Sequence, residues 1–266
     1  MSEFSSHVPG TFCWPELATT DQKGAVAFYR ALFGWDVDDQ PIGPTETYSM
    51  FKMRGLEVGA AYSMRAEEQQ QGVPPHWGSY VSVASADESV TRAQDLGAKV
   101  LAPPFDVMDV GRMAVLQDPT GAVFSVWQPK NHIGARILGE PGALCWTELA
   151  THDTKAAETF YTQLFGWKAK TGGEGSQAYT EFSVQGTSPT AGMMQIDARW
   201  GAAWGDVPPY WIPYFEVSDC DEAVTKVKEL GGRVNVPPTD IPKVGRFAVP
   251  ADPQGAVFSI VTLIRA

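Results

Sequence analysis

From Phe12 to Thr19 the chain reads as an apolar strand, and Asp21 follows it as a helix cap. Ala25, Phe28, Tyr29 and Leu32 recur at helical spacing until Gly34 stops them. Strand-like stretches around Tyr48–Met53 and Val58–Met64 complete a first unit. A second begins at Ser79–Ala84, where Ser85-Ala86-Asp87-Glu88 forms a capping-box pattern. Val90, Ala93 and Leu96 make its apolar stripe and Gly97 its stop. Strands around Lys99–Leu101, Met113–Leu116 and Val123–Trp127 follow, with Asp118-Pro119-Thr120-Gly121 as the last turn. The order is strand, helix, then two or three strands, twice over, which predicts an α+β fold.

The pattern then repeats. Cys13-Trp14-Pro15-Glu16-Leu17-Ala18-Thr19 recurs as Cys145-Trp146-Thr147-Glu148-Leu149-Ala150-Thr151, 132 residues later, and Leu32–Trp35 recurs as Leu164–Trp167 at the same offset. Later matches sit at 134: Val110-Gly111-Arg112 with Val244-Gly245-Arg246, and Asp118–Ser125 with Asp252–Ser259. In copy two Asp153 is the first cap and Asp219–Glu222 the second capping box. Matches in one order across the whole unit mean duplication. We divide the chain into a first domain at 9–129, a linker at 130–141 and a second domain at 142–265. A sheet with helices on one face leaves its other face free to line a cavity, so each copy predicts a concave ligand cleft.

Composition narrows the partners. A net charge of −11 argues against a nucleic-acid partner, which needs clustered Lys and Arg, and against docking on anionic membranes. No apolar run reaches the roughly 20 residues of a membrane helix, and the polar start MSEFSSHVPG does not resemble a signal peptide. Three cysteines without CxxC spacing read as reduced thiols, and the expected location is cytoplasmic. Two copies in one chain allow a monomer with paired domains or a homodimer.

The strand ending in an Asp cap, the helix carrying Phe28-Tyr29 and Phe33-Gly34, and the Asp-Pro-x-Gly turn before the last strand resemble the glyoxalase/bleomycin-resistance/dioxygenase superfamily, the vicinal oxygen chelate fold. The paired Cys-Trp-x-Glu-Leu strands, the linker His132-Ile133-Gly134-Ala135 and the Gly-Arg motifs are similar to the actinobacterial tandem glyoxalase-like or hydroxylase-like proteins, a mycobacterial culture-filtrate antigen among them. The resemblance implies four βαβββ modules, paired into curled mixed sheets with a concave cleft in each of two tandem domains.

It also implies a divalent cation held by His and Glu, and here the expected positions are filled otherwise. Seven residues before each Asp cap stand Trp14 and Trp146; seven after each turn Asp stand Ser125 and Ser259. The remaining His maps to about Gly78 and Ile212, near His76 and its counterpart Tyr210. An indole N–H has no free lone pair for a cation, and a serine hydroxyl replaces a carboxylate poorly. The expectation is therefore no metal cofactor, with a divalent metal as the alternative.

Strand alternation sets Trp14, Glu16 and Ala18 on one face, with Cys13, Pro15 and Leu17 on the other. Glu16 and Glu148 thus become candidate general bases beside an indole, with structural hydrogen bonding as the alternative. Trp14, Ser125, Trp127 and Arg112 in copy one, and Trp146, Ser259 and Arg246 in copy two, are candidate ligand contacts. Trp200 and Trp204 are expected in a loop over the second cleft, whereas His132 and His152 are expected on the linker or surface. Aromatics and methionines on such a face suit a flat or apolar molecule. The leading reading is a small-molecule binding protein without metal; the alternatives are a glyoxalase-type lyase or isomerase, a hydroxylase-like oxygenase, and a protein-interaction module.

Overall fold

A computed structural model describes residues 3–175, 178–196 and 207–265. Trp200 and Trp204 lie outside the described residues. Eight strands of the first copy make one mixed sheet: β1 (Phe12–Thr19), β2 (Asp36–Pro41), β3 (Thr47–Met53), β4 (Leu56–Ser63), β5 (His76–Ser82), β6 (Lys99–Val107), β7 (Gly111–Gln117) and β8 (Val123–Pro129). Their order is β2-β3-β4-β1-β5-β8-β7-β6. The two smaller units join where β1 runs antiparallel to β5, while β1–β4 and β5–β8 are parallel.

The second copy repeats this order with β9 (Leu144–Thr151), β10 (Lys168–Gly172), β11 (Tyr179–Ser183), β12 (Pro189–Gln195), β13 (Tyr210–Glu216), β14 (Arg233–Ile241), β15 (Gly245–Ala251) and β16 (Ser259–Leu263). The helices are α1 (Gln22–Phe33), the short α2 (Ala66–Gln70), α3 (Ala86–Asp95), α4 (Thr154–Phe165) and α5 (Cys220–Glu229). The four long ones start on the predicted caps. Asp21, Ser85, Asp153 and Asp219 each accept a backbone N–H three residues on.

The helix-bearing faces of the two sheets pack against each other crosswise. Tyr29, Trp35 and Phe51 of the first unit, with Trp77 on β5, share a core with Phe215, Val224 and Phe258 of the fourth. Val81, Leu116 and Phe124 of the second unit share another with Tyr161 and Trp167 of the third and Trp211 on β13. The buried phenols and indoles Tyr29, Trp35, Trp77, Tyr161, Trp167 and Trp211 in these cores are paired, as burial requires. Trp77 donates to Tyr29 (2.9 Å), which donates to Asp252 of the other domain (3.1 Å). Trp211, Tyr161 and Asp118 repeat the relay at 2.7 and 2.8 Å. The Asp of each predicted turn therefore does two jobs. One oxygen holds the turn's own N–H groups, and the other receives a phenol from across the seam. Truncating Tyr29 or Tyr161 to Ala would cost about 3–5 kcal/mol by the usual aromatic cavity penalty.

Domain pairing consumes the helical faces and leaves both concave faces outermost. Trp14, Ala60, Tyr80 and Trp127 cluster on the first, and Trp146, Ile212, Tyr214 and Val261 on the second. Cys13 and Cys145 cluster there too, although alternation set them on the other face. The β1–β5 and β9–β13 registers slip at this point, and a bulge re-aims the side chain.

Candidate functional site

On each concave face a carboxylate sits at the centre of an aromatic hydrogen-bond cluster. Glu16 Oε1 accepts the Tyr48 hydroxyl at 2.6 Å and Oε2 accepts the Tyr80 hydroxyl at 2.5 Å. Trp14 Nε1 donates to the Tyr48 oxygen at 3.1 Å. In the second domain Tyr179 and Tyr214 donate to Glu148 at 2.7 and 2.8 Å, and Trp146 donates to Tyr179 at 2.9 Å. An indole N–H can only donate, so the phenol it meets must pass its own proton on to the carboxylate. Burial raises the pKa of both glutamates, and the tyrosine hydrogen bonds pull it partly back; a nearby His76 adds to that pull at Glu16 alone. The four phenols themselves are pushed up by burial and by the adjacent carboxylate.

The registers line up three positions across each face. Trp14 pairs with Tyr80, and Tyr80 with Ser125. Trp146, Tyr214 and Ser259 form the same row. Tyr80 and Tyr214 thus complete the row, two residues beyond Gly78 and Ile212. The structure brings together Trp14, Glu16, Ser125 and Trp127 on one face, and Trp146, Glu148 and Ser259 on the other.

Arg112 and Arg246 are elsewhere, which corrects their assignment as cleft residues. Strand alternation turns their neighbours Met113 and Phe247 into the clefts and the arginines to the helical side. There Arg112 grips Asp87 through Nε and Nη2 at 2.7 and 2.8 Å, and Arg246 grips Asp221 at 2.7 and 3.1 Å. Asp87 and Asp221 belong to the first turns of α3 and α5, so these arginines tie helix to sheet.

The linker residue His132 goes the other way, from an expected linker or surface position into the first cleft. Its ring meets Trp14 edge-on at 4.7 Å between centroids, and its carbonyl accepts from Trp127 Nε1 at 2.9 Å. The segment behind it seals this end of the sheet. Ala135 N–H donates to Cys13 O at 2.7 Å and Arg136 N–H to Glu57 O at 2.7 Å. Gly134 makes the approach possible, because a Cβ there would stand 2.5 Å from the Cys13 carbonyl oxygen and φ is +104°. His152 meets the expectation of a surface residue, exposed and bonded to Val207 O.

Besides His132, the sequence reading passed over Tyr48, Tyr80, Tyr179 and Tyr214. Alternation along β5 and β13 carried the signal for two of them, since Gly78 and Tyr80 share a face, as do Ile212 and Tyr214. Tyr48 and Tyr179 carried none, because nothing in the sequence says which face of β3 or β11 turns inward.

The donor set offers a metal little. Each row presents an indole, a phenol and a hydroxyl around one carboxylate whose oxygens already accept two phenols. No group of three His, Cys, Asp or Glu suited to a cation occurs among the described residues. A cavity of about 770 Å³ opens beside the N-terminus of α1, and it touches the first concave face only through Tyr62. Among the described residues no helix is long and apolar enough to cross a membrane.

Comparison with known proteins places this geometry. Residues 143–260 match the model of the "Glyoxalase/Bleomycin resistance protein/Dioxygenase superfamily", and residues 16–127 that of the "Glyoxalase-like domain". The chain is 38% identical over 262 residues to "Putative glyoxylase CFP32" of Mycobacterium tuberculosis, covering 98% of each. It is 34% identical to "Anthracycline biosynthesis protein DauV" of a Streptomyces species, covering 97% of this chain and 95% of that one. Among solved structures, the Mn(II)-bound glyoxalase from Novosphingobium aromaticivorans shares the fold at a TM-score of 0.66 and 14% identity, covering 96% of this chain and 82% of that one. The 2,3-dioxygenase LapB from a Pseudomonas strain shares it at 0.65 and 12%, covering 95% and 91%.

Proposed function

Because the chain belongs to the glyoxalase/bleomycin resistance protein/dioxygenase superfamily, we propose that it binds a small, partly apolar molecule on a concave face, without a metal ion. The observation that carries this reading is the cross-strand row of Trp14, Tyr80 and Ser125 with its copy Trp146, Tyr214 and Ser259. Aromatic faces with few polar atoms hold a flat molecule by stacking and shape, whereas a divalent ion needs three or four anionic or imidazole donors. Elemental analysis of untagged protein tests it. The expected result is Zn, Mn, Fe and Ni far below one equivalent per chain, unchanged in Glu16→Ala; a stoichiometric metal lost in that variant would overturn the reading.

A second reading, an enzyme, is favoured by the buried glutamates. Burial raises their pKa toward the range a general base or acid uses, and the mycobacterial relative's name suits a glyoxalase-type lyase or isomerase. A hydroxylase-like oxygenase would fit the Streptomyces relative's biosynthetic name. Turnover of a hemithioacetal by metal-stripped protein, abolished in Glu16→Gln, would establish the lyase or isomerase form.

A further inference from the structure

The two carboxylates have the same partners but not the same access. Glu16 keeps partial contact with solvent, whereas Glu148 is 7% exposed. The cross-strand neighbour explains it. Glu16 stands opposite Gly78, and Glu148 stands opposite Ile212, itself 4% exposed. Directly opposed residues on neighbouring strands share a face with their Cβ atoms about 5 Å apart. Ile212 therefore covers the carboxyl beside it, and Gly78 leaves it open. At the indole the asymmetry reverses: Trp14 is 4% exposed beneath His132 and the linker, while Trp146 is half-buried.

The hydrogen-bond directions fix what an open Glu16 can recognise. Tyr48 spends its proton on Glu16, because Trp14 occupies the phenol oxygen as a donor. Tyr80 is bonded to the other carboxylate oxygen. Each carboxylate oxygen keeps a second lone pair for a further donor. His76 lies on the same face, two residues before Gly78, with Trp77 between them turned into the core. Its Nδ1 is 2.9 Å from Pro74 O, which can only accept, so Nδ1 carries a hydrogen.

Resting on the small-molecule reading above, we propose that the first domain holds the binding site, and that Glu16 selects a planar aromatic molecule bearing hydrogen-bond donors, phenolic hydroxyls or an aromatic amine. Glu148 is then the hydrogen-bonded keystone of a closed copy. Carboxylate ligands are disfavoured, since the Glu16 carboxylate and a net charge of −11 repel them.

Three probes of one shape separate the possibilities by titration calorimetry on the full chain: 2-naphthol with a donor, 2-methoxynaphthalene without one, and 2-naphthoate as an anion. The expected result is one saturable 2-naphthol site per chain, about tenfold weaker binding of the methyl ether as a charge-assisted hydrogen bond is lost, and no binding of the carboxylate. Gly78→Ile should remove the site, and folding is not at risk in the companion Gly78→Ala, whose methyl would meet only Glu16 O at 3.6 Å and Tyr80 Cε2 at 3.7 Å. Ile212→Gly should add a second equivalent. Equal binding of all three probes overturns donor selection while leaving the cleft reading intact. Unchanged binding in a folded Gly78→Ile protein overturns the placement at Glu16. No saturable binding of any probe overturns both readings.

Discussion

The two concave faces descend from one sequence and now open at opposite ends. In the first domain Glu16 is partly exposed and the indole is covered; in the second Glu148 is covered and the indole is half-buried. The central hydrogen bonds are nearly unchanged between them, with carboxylate-to-phenol distances of 2.5–2.6 Å in one and 2.7–2.8 Å in the other. Access has been altered by residues around the cluster: Gly78 against Ile212, Trp127 against Val261, and a linker that crosses the first cleft. Burial of the central carboxyl thus differs between copies that keep the same polar groups around it.

The largest expected effect separates Gly78 from Ile212. Ile212→Ala removes a buried aliphatic side chain and should lower unfolding free energy by about 2–5 kcal/mol. Gly78→Ala should instead raise it by about 0.5–1 kcal/mol, because a strand glycine that accepts a methyl loses chain entropy for nothing. Denaturant unfolding of the two variants reads both signs. If Ile212→Ala costs no more than Gly78→Ala, the aliphatic cover over Glu148 is not packed as described.

A smaller effect concerns pH. Burial holds both glutamate pKa values above their ordinary one. The folded chain therefore binds more protons than the unfolded chain between the ordinary carboxyl pKa and the raised one. Stability is fully present below that window and falls as pH rises through it. Glu148→Gln should flatten this fall more than Glu16→Gln, because Glu16 is already relieved by His76 and partial solvation. Unfolding free energy measured from pH 4 to 8 in the two variants gives the comparison, and equal slopes would mean that the two carboxyls are equally enclosed.

Much of this arrangement was readable from residues alone. Four caps, the turn aspartates and the tandem repeat are local signals, and each follows from a side chain bonding to backbone within a few positions. The presence of Glu16 and Glu148 beside an indole followed from alternation along a single strand. What alternation cannot reach is any fact that needs two strands at once. The row of Trp14, Tyr80 and Ser125 depends on β1–β5 and β5–β8 register, the inward turn of Cys13 on a bulge, and the entry of His132 on a glycine that lets the linker approach Cys13. The crosswise cores are longer-range still: Tyr29 meets Asp252 across 223 residues of chain.

Arg112 and Arg246 offer the smallest expected effect and the sharpest control on the asymmetry. They were expected among the ligand contacts of the clefts, but the same alternation that points Met113 and Phe247 inward points the arginines outward. Each holds an aspartate of a helix first turn, and the pairs are open to water, with Asp87 and Asp221 side chains both 60% exposed. Exposed pairs of this kind are screened by salt and contribute little. Arg112→Ala and Arg246→Ala should therefore leave 2-naphthol affinity unchanged, and should shift the thermal midpoint slightly and by the same amount in both copies. An arginine variant that weakened binding in the first domain alone would mean that the guanidinium reaches the carboxylate after all, and that the difference between the clefts lies in charge rather than in cover.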